Sequence, residues 1–436
     1  MTGPPPPEAG RPPGFVYRTA TSGNAAADVL CCEQVPLSRL AERFGTPLYV
    51  YSSRVIRERA QAFQRAFRKA PHKICYSVKA NSNLGLLRTL SRMGCGFDVV
   101  SGGELERVLR VSRAAARQVV FSGVGKTKDE MRAALNARIL LFNVESESEL
   151  AALQEVAAHA RKIAPTALRV NPDVPAETHP YISTGLHQHK FGVPIPEALA
   201  LYAQAAKQPY LTVAGVSVHI GSQITDVGSF RAALERVAAL VRVLREQGHD
   251  IRYIDAGGGL GISYEGAQGS FQKQISEYAK AVLGPLRGLK LHLLLEPGRS
   301  IVGPAGVLLT RVLYRKTNHS KRFLIVDAAM NDLLRPSLYG AYHEIVPVIR
   351  GSRKTETTDV VGPVCETGDF FARDRKLPLA SESDLLAILD VGAYGSVLGS
   401  NYNTRGRAAE VLVDGAKARV IRRQESVEDQ MRMEKF

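Results

Sequence analysis

The chain of 436 residues is too long for one ordinary domain, and 45% hydrophobic with 23% charged residues is the composition of a globular protein. No apolar run reaches the length of a membrane span and the N-terminus has no apolar signal core, so a cytoplasmic protein without membrane contact is expected. A formal net charge of +15 raises nucleic acid as a partner, but the excess is spread along the chain and a cluster such as Lys417, Arg419, Arg422 and Arg423 is small, so a solvated basic surface is expected instead.

Residues Met1 to Gly14, carrying Pro4 to Pro7, Pro12 and Pro13, read as a disordered tail. The cysteines at 31, 32, 75, 95 and 365 lack paired spacing, so neither a disulfide framework nor a zinc site follows, and Cys31-Cys32 are too close for an ordinary bridge. Between about residue 70 and 300, short apolar runs alternate with helical patterns. The runs are Lys73 to Val78, Gly96 to Val100, Gln118 to Phe121, Ile139 to Val144, Thr166 to Val170, Val213 to Ile220, Ile251 to Ala256 and Leu291 to Leu295. Helical spacing occupies Gly103 to Arg110, Glu145 to Ile163, Pro196 to Ala206, Ser229 to Gln247 and Phe271 to Leu286. Eight such strand-helix units predict a parallel (β/α)8 barrel, an α/β fold whose chemistry collects at the strand ends.

Those ends carry the polar residues: Lys79; Asp98 and Ser101 to Glu104; Ser122 to Lys126; Asn143 and Glu145; Arg169 and Asn171; His219 to Ser222; Asp255 to Gly261; and Glu296-Pro297-Gly298-Arg299. Each alone could be a turn or a cap, whereas all of them on one rim point to an active site. A lysine at the end of a buried strand is expected to be desolvated and nucleophilic, the type that forms Schiff bases with carbonyl compounds. The alternative for Lys79 is a lysine snorkelling to solvent. Gly257 to Gly261 reads as a phosphate cradle, because glycines let backbone N–H groups approach an anion closely. It lacks the lysine of a nucleotide-hydrolase loop and the acidic residue of a dinucleotide fingerprint. Glu296 could keep a pyridine nitrogen protonated, and lysine, cradle and carboxylate together describe a site for pyridoxal 5'-phosphate. His187-Gln188-His189 has no carboxylate partner, and no metal site is expected.

The motifs Tyr76-Ser77-Val78-Lys79-Ala80-Asn81, the stretch from His179 to Gly185, His219-Ile220-Gly221-Ser222, Gly257-Gly258-Gly259, Glu296-Pro297-Gly298-Arg299 and Gly362-Pro363-Val364-Cys365-Glu366 resemble the fold-type III pyridoxal-phosphate decarboxylases acting on ornithine, diaminopimelate and arginine. The resemblance runs from about residue 45 to 410 and is nearest to the members that act on diaminopimelate. It implies a barrel over 46–305 and an alanine racemase-like all-β domain over 306–436, to which 15–45 contributes. The runs Val307 to Leu313, Arg322 to Val326, Asp359 to Val361, Leu385 to Val391 and a hairpin at Asp414-Gly415 are themselves β-rich.

The resemblance also implies roles. Lys79 would carry the cofactor, His219 would stack on its ring, Arg169 would lie near its phenolic oxygen and Asp98 near its point of attachment. Ser222, Gly257, Gly258, Gly259, Pro297, Gly298, Arg299 and Tyr394 would surround the phosphate and its approach, with Glu296 at the ring nitrogen. Arg299, Arg335, Tyr339, Glu366 and Tyr394 would bind substrate, and Cys365, arriving from the partner subunit of a homodimer, would supply a proton. A thiol suits that task because its pKa lies near neutrality. The implied reaction is decarboxylation of meso-2,6-diaminopimelate to L-lysine. Glu366 argues against the ornithine-acting relatives, which carry Asp there, and Glu296 argues against a racemase. Retention of Lys79 and Cys365 argues against a non-enzymatic regulator.

Overall fold

The computed structural model describes residues 14–22, 25–174, 190–265, 270–351 and 354–435. The tail up to residue 13, the motif 179–185 and the triplet 187–189 lie outside them. The chain divides into two compact units, Arg59–Ile262 with Gly269–Ser300, and Met1–Glu58 with Ser263–Gln268 and Ile301–Phe436.

The first unit is the expected barrel. Its strands are β1 (His72–Ser77), β2 (Gly96–Val99), β3 (Val119–Phe121), β4 (Leu141–Val144), β5 (Ala164–Asn171), β6 (Leu211–Val218), β7 (Tyr253–Asp255) and β8 (His292–Leu295). Each pairs in parallel with the next, and β8 pairs with β1, so the ring closes without an edge. The strands read as continuous apolar runs because both faces are covered. Inside, Cys75, Val120, Leu141, Ala167, Ala214 and Leu294 form a buried cluster. Outside, helices Leu84–Arg92, Gly102–Val111, Lys128–Ala137, Glu147–Ala160, Ile195–Ala206, Gly228–Glu246 and Phe271–Leu283 follow β1 to β7 in turn. Several polar strand-end residues are spent on starting these helices. Asn83, Ser101, Thr127 and Ser146 each accept a backbone N–H at a helix N-terminus. Lys126 is likewise structural, pairing with Glu149 at 2.6 Å and donating to the carbonyls of Gly123 and Asn143.

The second unit is mostly β, with short helices at Leu37–Phe44, Arg335–Tyr339 and Val427–Met431. Its long strand Gly306–Asn318 pairs antiparallel with Leu48–Ser52, Lys321–Val326 and Leu385–Ile388. Ala409–Asp414 and Lys417–Arg422 form the predicted hairpin, with Gly415 in the left-handed region at φ 62°. Phe15–Ser22 and Ala25–Cys32 pair with each other, and Leu30, Leu48, Val50, Val307, Leu309, Val411 and Val413 share one core. The unit boundary falls inside helix Ser53–Phe67, later than residue 46, because Leu48–Ser52 pairs with Gly306–Asn318 and Ala409–Asp414 and is no part of the barrel. The barrel unit also ends at Ser300, short of 305. Among the described residues, no helix is long and apolar enough to cross a membrane.

On the outside of the barrel, the buried Tyr278 ring meets Phe63, Phe67 and Phe230 at centroid distances of 6.3, 5.8 and 4.9 Å. Aromatic edge-to-face packing of this kind adds to area burial. Tyr278→Ala is expected to destabilise the barrel unit by about 3–5 kcal/mol, read as a lower urea midpoint.

Candidate active site

At the C-terminal end of the barrel, β1 stops at Ser77 and a single 3-10 turn, Val78–Ala80, carries Lys79. The lysine is therefore beyond the strand end, not on it. Its Nζ donates to Asp98 Oδ2 at 2.6 Å, with side-chain exposures of 31% for Lys79 and 0% for Asp98. Charge pairing governs this amine, in place of the desolvation expected from the sequence. Burial alone would raise the Asp98 carboxyl, but the Lys79 charge and hydrogen bonds from Lys79 and Ser77 outweigh it and hold Asp98 below the usual carboxylate range. Ser77 also lies 3.1 Å from the Glu296 carbonyl, which ties the ends of β1, β2 and β8 together.

Opposite this pair, Asn143 Nδ2 donates to Asp255 Oδ2 at 2.6 Å, and the Gly257 amide donates to Asp255 Oδ1 at 3.0 Å. Ser122 donates to Glu296 Oε1 at 3.2 Å. Asp255 and Glu296, on neighbouring strand ends, are hydrogen-bonded to each other. Burial first, then the Asp255 and Asp98 charges, push the Glu296 carboxyl well above its ordinary value. Burial also raises Asp255, against hydrogen bonds from Glu296, Asn143 and Gly257.

The glycine run turns away from β7 with Gly257 at φ 66° and Gly259 at φ 103°. A Cβ on Gly258 would stand 2.1 Å from the Glu296 carbonyl oxygen, so no side chain fits. The carbonyls of Gly257 and Gly259 accept from Glu296 and Ile224. Among the described residues, the amides of Gly258 and Gly259 donate to no protein acceptor. Gly298 packs as closely, its missing Cβ 2.9 Å from Ala80 and 3.1 Å from Ser77. Arg299, buried, donates from Nη2 to Ser222 Oγ at 3.0 Å. Arg169 grips Glu145 with two contacts of 3.1 and 3.2 Å and reaches the His219 carbonyl at 3.4 Å. Desolvation, then the charges of Arg169 and Lys79, push His219 well below the usual histidine range, so its ring is neutral. Lys79, Asp98, Arg169, His219, Ser222, the three glycines and 296–299 thus gather at this one end of the barrel.

Arg335, Tyr339, Cys365, Glu366 and Tyr394 belong to the mostly-β unit. Arg335 stands before a proline, where a surface position is common, yet it is buried. Its guanidinium donates to His343 Nε2 at 2.8 Å and lies 4.7 Å from the centroid of the Tyr264 ring. His343 Nδ1 in turn donates to the Leu389 carbonyl at 2.8 Å. Cys365 and Glu366 are exposed, on a loop whose turn is set by Asp369 accepting from the amides of Met330 and Val364. The Cys365 amide donates to Asn403 Oδ1 at 2.8 Å, and the Tyr402 hydroxyl is bonded to Glu366, which raises its pKa. Tyr394 adopts φ 56° next to Gly392, where a Cβ would lie 1.9 Å from the Val302 carbonyl oxygen.

Comparison with known proteins matches residues 53–303 to the pyridoxal-binding domain of the pyridoxal-dependent decarboxylases. A diaminopimelate decarboxylase of Pseudomonas aeruginosa is 55% identical over 95% of this chain and 97% of its own. The chain belongs to the diaminopimelate decarboxylase family. A crystal structure of diaminopimelate decarboxylase from Helicobacter pylori complexed with L-lysine superposes with TM-score 0.86 at 42% identity, covering 91% of this chain and 98% of that one. A crystal structure of diaminopimelate decarboxylase from m. jannaschi gives TM-score 0.88 at 37% identity, covering 94% of this chain and 96% of that one.

The cofactor of this family is pyridoxal phosphate, and the residues present fit it. At this one end of the barrel the amides of Gly258 and Gly259 donate to no acceptor among the described residues, Lys79 supplies an amine paired with Asp98, and Glu296 supplies a buried carboxyl. The sequence does not single out Tyr264 and His343 around Arg335, because Tyr264 lies far back in the chain and His343, across one short helix, turns back to Arg335 only in the fold. Asp255 was visible as a strand-end residue, but its contact with Glu296 follows only from the pairing of β7 with β8.

Gly258→Ala is expected to weaken pyridoxal phosphate binding about tenfold or more, in line with the 1–3 kcal/mol cost of overpacking, and absorbance titration reads it directly. Glu104, at the start of the helix after β2, accepts the Val100 amide at 2.8 Å, and burial pushes its carboxyl up from 4.5 to about 7. The folded state therefore binds the proton of Glu104 more tightly than the unfolded chain, so the contribution of this carboxyl to stability is full below 4.5 and is lost as pH rises to about 7. Glu104→Gln should flatten that part of the curve of melting temperature against pH.

Proposed function

We propose that the chain catalyses the pyridoxal-phosphate-dependent decarboxylation of meso-2,6-diaminopimelate to L-lysine and carbon dioxide, the last step of lysine biosynthesis, in the cytoplasm and as a homodimer. The observation that carries this reading is the gathering of a lysine-carboxylate pair, a buried Glu296 and the open amides of Gly258 and Gly259 at one end of a barrel. Bound pyridoxal phosphate supplies an electron sink for the charge left when carbon dioxide departs.

In this reading Lys79 carries the cofactor through Nζ, and Asp98 orients that amine. Glu296 faces the ring nitrogen, and the neutral His219 ring stacks without adding a competing charge. Arg169 fixes the His219 backbone and lies on the side of the phenolic oxygen. Gly257, Gly258, Gly259 and Ser222 take the phosphate, with Pro297 and Gly298 shaping its wall and Tyr394 completing its approach. For the substrate, Arg299 and Arg335 serve its carboxylates, Glu366 its distal ammonium, and Tyr339 and Tyr394 its flanks. The support for Arg335 is its orientation by His343 and Tyr264. Cys365, contributed by the partner subunit, holds the proton that replaces the lost carboxylate; its exposure is compatible with action on a second copy of the chain.

Carbon dioxide release on meso-diaminopimelate, its LL isomer, ornithine and arginine tests the assignment; release fastest from ornithine or arginine would refute it. Lys79→Ala should lose both turnover and the visible absorbance of attached cofactor. Cys365→Ala should retain the cofactor but turn over about a hundredfold more slowly or less. Mixing the two inactive variants should restore activity if each site draws on both subunits, and no recovery after verified subunit exchange would refute sharing.

A further inference from the structure

Three carboxylates converge at the C-terminal end of the barrel, where exposures are 0% for Asp98, 0% for Asp255 and 5% for Glu296. Lys79 balances Asp98. Among the described residues, no lysine, arginine or histidine forms an ion pair with Asp255 or Glu296. Two buried carboxylates in hydrogen-bond contact without a cation cannot both be ionised, because each would stand unscreened against the other. The titratable groups facing them agree: Asp98 from β2 adds negative charge, Lys79 after β1 is already paired, and Cys75 of β1 is held neutral by burial and by these same carboxylates.

We propose that Asp255 and Glu296 act as one carboxyl pair sharing a single proton, in which Asp255 is the positioning residue that takes the proton when Glu296 becomes the counterion of the cofactor's ring nitrogen. The inference rests on the functional reading above. Without cofactor the proton sits on Glu296, since Asn143 and the Gly257 amide already donate to Asp255 and favour its charged form. A neutral Glu296 is a poor partner for a pyridinium. With a ring nitrogen that already carries a proton held beside Glu296, the O–H bond on Glu296 would break and one on Asp255 would form. The pair then keeps one negative charge, which cancels the pyridinium, and no unbalanced charge is left in the barrel. Facing a nitrogen that already carries a proton, a lone protonated glutamate would have to lose its own to solvent from a site with almost no exposure. Asp255 offers that proton a place one hydrogen bond away.

Infrared difference spectra test the shared proton on cofactor-free protein, independently of any activity. Wild type minus Glu296→Gln at about pH 9, where ordinary carboxyls are ionised, should show the carbonyl stretch of one protonated carboxyl. Should Glu296→Gln not fold, Asp255→Asn serves instead, because changing the acceptor must shift or remove the same band. Absence of the band would overturn the proposal. For the relocated proton, pyridoxal phosphate affinity is compared in Asp255→Asn and Asp255→Leu. The asparagine mimics protonated Asp255 as a neutral donor and should bind within about threefold of wild type, whereas leucine strands the Asn143 and Gly257 donors and should bind about tenfold more weakly or worse. Equal weakening in both would overturn the relocation, since Asp255 would then have to stay charged. A wild type that shows the band but binds no pyridoxal phosphate would instead sink the functional reading.

Discussion

The contact between Lys79 and Asp98 makes the barrel end possible. Asp98 has no solvent exposure, and a carboxylate there is tolerable only because an amine reaches it at 2.6 Å. The same oxygen accepts from Ser77, whose hydroxyl also lies near the Glu296 carbonyl, so the charge pair sits on a lattice that joins three strand ends. That lattice fixes the amine at the same barrel end as the glycine run. Its reactivity then depends on partners and position more than on loss of water.

Barrel closure is what makes such crowding of charge affordable. Parallel strands deliver all their C-terminal ends to one rim, and at or just past the ends of β2, β7 and β8 the carboxylates of Asp98, Asp255 and Glu296 come within mutual influence. Nearby donors such as Asn143, Ser122 and the Gly257 amide limit the cost. In the mostly-β unit the same economy appears at Glu33, which accepts from Ser52 Oγ, the Arg54 amide and the Gly415 amide, tying two distant segments to its own through one side chain.

The barrel was legible because strands covered on both faces must be apolar throughout, and eight such runs at helical intervals admit few other folds. Lys79, Glu296 and the glycines were legible as a set for a similar reason: their chemistry is specific even when their geometry is unknown. The environment of each was not. Burial of a lysine looks the same in sequence whether or not a carboxylate stands across from it, and Asp98 is on another strand. Arg335 was legible through the family resemblance, but its burial and its contacts with Tyr264, far back in the chain, and His343, across a short helix, were not. The boundary that the resemblance implies puts Leu48–Ser52 in the barrel, and nothing local in a five-residue strand reports that its partner lies at Ala409–Asp414.

That last strand has a bearing on how the polypeptide is made. Leu48–Ser52 is flanked by Gly306–Asn318 on one side and Ala409–Asp414 on the other. As the nascent chain leaves the ribosome, the barrel segments can close on themselves while this early strand still has both edges bare. Its second neighbour arrives only when translation is nearly finished. Until then it is a template on which any similar strand, including one from an adjacent polysome, could dock.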